Sequence, residues 1–122
     1  MMILVAGPYR SGTGDDPARL RANVEAMNDA AVTLFRAGHL PVTGEALALP
    51  LIEQAQFLGR GPVGAVDTVF DEIFHPISSR LLERCDAVLR IGGPSAGADE
   101  MVAQARAGGK AVFASLSEVP PA

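Results

Sequence analysis

The sequence predicts a small three-layer α/β fold built on a mostly parallel sheet of four to five strands. Short, continuous apolar runs recur along the chain, several of them closed by Gly or Pro, as in strands buried on both faces. Segments with apolar residues at helical spacing alternate with them, the pattern of a parallel sheet covered by crossover helices. No internal repeat or linker breaks the alternation, and 122 residues suit one compact domain, residues 1–122.

Each element follows in order. "MILVAG" is an apolar run closed by Gly7 and Pro8, and reads as the first strand. After the polar turn "PYRSGTGDD", Asp16 and Pro17 signal a helix start, because the carboxylate caps free amides and proline suits the first helical position. Leu20, Val24, Met27, Ala31 and Leu34 then recur at helical spacing until Gly38. "HLPVTG" is a second strand candidate, with Pro41 limiting its ladder bonds. "EALALPLIEQAQFLG" predicts a helix interrupted or restarted near Pro50, and "GRGPVG", residues 59–64, a flexible loop. A short helix is expected from Ala65 to Phe74, and a new one opening at Pro76 that turns Ile77, Leu81 and Leu82 inward. "DAVLRIGG" and "KAVFASL" predict the third and fourth strands, with an Ala-rich helix between them.

Composition narrows the function. With 48% apolar and 20% charged residues the chain has the balance of a packed protein, not a disordered one. A net charge of −4 without a basic cluster argues against a nucleic-acid polymer as partner, but is compatible with a small anionic ligand. The apolar runs are far shorter than a membrane span and the first residues lack a secretory pattern, so a cytoplasmic location without membrane association is expected. The lone Cys85 reads as a buried thiol, not a nucleophile.

Parallel sheets bind ligands beyond the carboxyl ends of their strands, where "GPYRSGTG", "TGEA" and "GGPSAGADE" should converge. In the last of these, Gly93, Gly97 and Ser95 allow backbone amides and a hydroxyl to approach a ligand at a helix start. Asp99 and Glu100 there either complement the helix dipole or do chemistry: an ionised carboxylate can act as a nucleophile or steady a positively charged sugar carbon. In the first loop Gly7, Tyr9, Arg10, Ser11 and Gly12 could grip a phosphate or a sugar hydroxyl, without the spacing of a P-loop or dinucleotide fingerprint; Tyr9 reads equally as a half-buried aromatic. Asp67, Asp71, Glu72 and His75 form a titratable cluster, with Asp71 and His75 four apart on one helix face. They are candidates for acid catalysis, although His75 also suits a cap. Phe70 and Phe74 beside them fit either a core or a base-stacking surface. No second His or Cys sits at ligand spacing from His39 or His75, so neither a metal nor another cofactor is expected.

"MILVAGPYR", followed by "CDAVLRIGGPSAGADEMVAQARAGGKAVF", resembles the nucleoside 2-deoxyribosyltransferase-like superfamily, which includes deoxynucleoside-monophosphate N-glycosidases and short uncharacterised members. The resemblance covers the first loop and roughly residues 85–113. It implies a Rossmann-like or flavodoxin-like sheet, a nucleoside or nucleoside 5′-monophosphate as substrate, and Glu100 attacking the anomeric carbon to form a covalent sugar intermediate. It also implies that Tyr9 to Ser11, Ser95 and Gly97 line the sugar or phosphate pocket, and that the chain works as a homodimer or higher homo-oligomer. Two departures stand out: Ser78 occupies the position, eight residues before Asp86, where the family often has an Asp that assists the leaving base, and the segment from Ser95 to Glu100 is one residue shorter than in the N-glycosidases. Two other readings stay open. One is a non-catalytic nucleotide-binding or sensing domain. The other is a lysine-decarboxylase-like nucleotide phosphoribohydrolase, although the Pro-Gly-Gly-x-Gly-Thr signature of those enzymes is absent.

Overall fold

The computed structural model describes residues 1–58 and 66–122, the side chains of residues 66–68 excepted. The loop expected at 59–64, and the side chain of Asp67, lie outside the described residues. The described chain is α/β, a small Rossmann-like three-layer arrangement. Its four strands are β1 (Met2–Ala6), β2 (Leu40–Thr43), β3 (Ala87–Arg90) and β4 (Ala111–Phe113), all parallel and ordered β2-β1-β3-β4. From β1 the chain first moves to one side, to β2, and later returns to place β3 on the other side. The carboxyl ends of β1 and β3 therefore flank a topological switch point, where open parallel sheets bind ligands.

Strand alternation divides the core. Ile3 and Val5 of β1, with Ala87 and Leu89 of β3, face Met27, Ala30 and Leu34 of α1 (Pro17–Arg36). Leu4, Ala6 and Val88 face the other way, onto Leu82 of α3 (Val66–Arg84) and Ala98, Met101 and Ala105 of α4 (Ala96–Ala107). Both faces of β1 are thus covered, which is why it reads as an unbroken apolar run. Asp16 caps α1 by accepting from the Arg19 amide, and Pro17 occupies the first turn, as the sequence predicts. Cys85 is buried in the core, and burial pushes its thiol pKa up.

Two helix expectations need correction. Pro50 does not interrupt α2, which runs unbroken over Gly44–Phe57, and Pro76 does not open a new helix but lies inside α3. Each proline removes a backbone donor, from the carbonyls of Ala46 and Glu72 respectively. Both of those residues are exposed, so water can take the missing bond. The apolar surface then decides the path. Ala48 and Ile52 of α2 pack with Val69 of α3, flanked by Leu49, Ala55, Phe70, Ile73, Phe74 and Ile77. A break at either proline would pull this cluster apart, so tertiary packing overrides the local penalty of about 3 kcal/mol.

α2 and α3 approach tightly at Gly44, where an added Cβ would lie 2.2 Å from the Ser78 hydroxyl oxygen and 3.3 Å from its Cβ. Gly44→Ala is therefore expected to cost about 1–3 kcal/mol by overpacking. In a Ser78→Ala background, where the hydroxyl is gone, the same substitution should cost clearly less. Urea denaturation of the four proteins of this double-mutant cycle measures the coupling, and additive effects would contradict the contact.

Candidate functional site

A cleft of about 180 Å³ opens at the carboxyl ends of β1 and β3. Its wall at β1 is Gly7, Tyr9, Arg10 and Ser11; α2 contributes Gly44 and Glu45. From α3 come Phe70, Asp71, Phe74, His75 and Ser78, and the α4 side supplies Ser95, Gly97, Ala98 and Met101. The three loops expected to converge do so. Gly92 lets two of them meet: its φ of +78° favours glycine, and a Cβ there would lie 2.7 Å from the Pro8 ring.

Arg90, the last residue of β3, holds the "GGPS" loop in shape. Its Nε donates to Asp99 at 3.1 Å, one terminal nitrogen to the Gly93 carbonyl at 2.8 Å, and the other to the Ile91 carbonyl. Ser95 caps α4 by accepting from the Ala98 amide at 3.1 Å. Asp99 thus binds the guanidinium that positions the loop and stays outside the cleft lining.

One side of the cleft is aromatic. The rings of Tyr9, Phe70 and Phe74 lie within 17° of parallel, with centroids 4.7 to 6.1 Å apart. Arg10 lies over Phe70 at 4.8 Å and pairs with Asp15 through two nitrogens, at 3.0 and 3.1 Å. That pairing holds the Asp15 carboxyl below its usual pKa.

Of the residues selected from sequence, Gly7, Tyr9, Arg10, Ser11, Asp71, His75, Ser95 and Gly97 line the cleft. Asp71 and His75 are exposed at its mouth, and the His75 ring lies against Gly97. Gly12 and Gly93 do not line it. They border an adjoining shallow depression, which shares Ser11 and Ser95 with the cleft. Glu72 is exposed outside it.

Glu100 is placed elsewhere. The buried face of α4 runs through Ala98, Met101 and Ala105, so the second-turn residue that reaches the cleft is Met101. Glu100, about 100° round the helix, is exposed and accepts a bond from Gln104 at 3.3 Å. The phase of a single residue decides which side chain enters the site.

The carboxyl that the structure does bring into the cleft is Glu45, which sequence reasoning did not single out within "TGEA". It stands in the first turn of α2, just after Thr43, whose hydroxyl accepts from the Ala46 amide. Only 6% of Glu45 is exposed, and its Oε2 has no hydrogen-bond partner among the described residues. Burial pushes its pKa from 4.5 up to about 7, while a bond from its own backbone amide pulls the other way. A helix N-terminus favours an ionised carboxylate by about 0.3–1 kcal/mol. Desolvation outweighs it, since the net rise corresponds to about 3 kcal/mol against the charged form. Burial, together with the Glu45 charge, also raises the pKa of the neighbouring Tyr9 phenol. Among the described residues no three His, Cys, Asp or Glu side chains come together as metal ligands.

Because folding raises the pKa of Glu45, the folded chain keeps this proton at pH values where the unfolded chain has lost it. Its contribution to stability is therefore full below pH 4.5, falls as the pH rises towards 7, and is lost above that. Wild type should lose up to about 3 kcal/mol more than Glu45→Gln between pH 4 and pH 8, as read by urea denaturation. Equal pH slopes in the two proteins would contradict the burial argument.

No family model matches this chain, and no curated protein matches its sequence.

Proposed function

We propose that the cleft binds a (deoxy)nucleoside or nucleoside 5′-monophosphate and that the protein cleaves or transfers at its N-glycosidic bond. The observation that carries this reading is the near-parallel set of Tyr9, Phe70 and Phe74 beside a polar wall at the carboxyl end of the sheet. A planar base stacks on aromatic faces whatever its hydrogen-bonding pattern. Ser11 and Ser95 belong to the same lining and add hydroxyl-bearing residues suited to a sugar.

Glycosidic bonds break through a positively charged sugar carbon, which carboxyl groups stabilise or capture. Two such groups line the cleft, Asp71 at the mouth and the buried Glu45. Asp71 takes the role of the carboxyl that meets the sugar carbon in this reading, in place of Glu100. The sequence resemblance described above supports the same substrate class, and with it a cytoplasmic homo-oligomer. A binding-only, sensing domain is the second reading; Ser78, where the family often carries an Asp, favours it.

Incubation with the four deoxynucleosides and their 5′-monophosphates, with chromatographic detection of free base, tests the reading. Tyr9→Leu should raise KM about tenfold or more through lost stacking, worth about 1–3 kcal/mol per base. Glu100→Gln, on the solvent face of α4, should change kcat/KM by less than about twofold. Binding without any base release would favour the sensing domain, and loss of activity in Glu100→Gln would return the nucleophile to that position.

A further inference from the structure

We infer that Glu45 is the proton donor to the leaving base, an assignment that rests on the N-glycosidic reading above. The argument starts from its position. Glu45 lines the cleft together with Tyr9, Phe70 and Phe74, so a base stacked on those rings lies beside a carboxyl whose buried Oε2 has no hydrogen-bond partner among the described residues. A buried polar atom without a partner costs about 1–3 kcal/mol, and a ligand acceptor placed there would recover part of that.

The surroundings suit a carboxyl that holds and returns a proton. The titratable and polar residues that share the cleft lining with it are Tyr9 and Arg10 of the first loop, the latter paired with Asp15, and Asp71, His75 and Ser78 of α3. On its other side Glu45 borders a second cavity of about 240 Å³ between α1 and α2, lined by Val24, Met27 and Asn28 of α1 and by Thr43, Ala46, Leu49 and Pro50. No ionisable side chain other than Glu45 lines this second cavity among the described residues. Asn28, Ala46 and Pro50 are exposed, so the cavity reaches the surface and offers a route for proton return apart from the ligand. The raised pKa is consistent with a group that carries its proton near neutrality.

The step balances as follows. The C1′–N bond breaks and its electron pair goes to the base, while a base nitrogen takes the proton from the Glu45 carboxyl. Water adds its oxygen to C1′ and gives up one proton, which restores Glu45. Nucleoside plus water yields free base plus sugar; in transfer, the N–H of a second base replaces water.

The test compares wild type and Glu45→Gln on deoxynucleosides and on 4-nitrophenyl 2-deoxyriboside, whose leaving group departs without a proton. Wild-type kcat/KM, which reports the ligand-free protein, should fall as pH rises through about 7. Glu45→Gln should bind deoxynucleosides but release base at least about 100-fold more slowly. It should cleave the nitrophenyl glycoside at a rate close to wild type. Base release retained in Glu45→Gln would overturn the assignment and leave the N-glycosidic reading standing. Equal loss on both substrates would overturn it too, since a proton donor is needed for only one of them. A wild-type profile with no decline above pH 7 decides against it without any variant. Wild type that releases no base from any deoxynucleoside or monophosphate would overturn the N-glycosidic reading and this assignment together.

Discussion

The burial of β1 on both faces, between parallel neighbours, organises everything else in the fold. Its four inner residues, Ile3 to Ala6, alternate between α1 on one side and α3 with α4 on the other. Because β2 and β3 flank it, the chain after β1 and the chain after β3 leave from the same edge of the sheet in opposite lateral directions. Two loops separate there and leave a crevice that side chains from α2 and α3 fill only in part. Ligand-sized space at this edge is thus a consequence of strand order, before any particular side chain is considered.

Close approaches then shape that space. Gly44 admits Ser78 of α3, and Gly92 admits Pro8 of the first loop. At both points a side chain would force apart the elements that carry site residues. Arg90 acts from the side, holding two loop carbonyls and Asp99. The Arg90 side chain is only 17% exposed and its guanidinium is occupied by the protein itself, so it shapes the loop and is not offered to a ligand.

Within the cleft, the balance of opposing electrostatic effects sets the protonation of Glu45. The first turn of α2 should favour an anionic Glu45, but its removal from water is the larger effect and holds the carboxyl neutral at pH values below about 7. Asp71 carries the same functional group at the exposed mouth. Two carboxyls in such different surroundings are suited to different roles, which is the physical basis for assigning one to proton donation and the other to the sugar.

The order of strands and helices was legible from sequence because burial on two faces leaves continuous apolar runs, as in "MILVA" and "AVLR", and helix starts leave caps such as Asp16 with Pro17. The convergence of the three loops followed from that order. Pro50 and Pro76 misled because local penalties are visible in sequence, whereas the apolar cluster between α2 and α3 that offsets them is assembled from residues far apart in the chain. The same distinction separates Glu100 from Glu45. Adjacent acidic residues at a helix start look chemical in a one-dimensional reading, but the rotation of α4 on the sheet turns Met101 inward and Glu100 outward. Glu45 looks like an ordinary first-turn glutamate, and its burial and missing partner arise only when α1, α2, α3 and the first loop close around it. Sequence alone determined the strands and their alternation with helical segments, since those depend on local periodicity and capping, but not where the helices at Pro50 and Pro76 are continuous. Only the tertiary structure decided which carboxyl enters the cleft and in what protonation state, since desolvation is a property of the assembled surroundings.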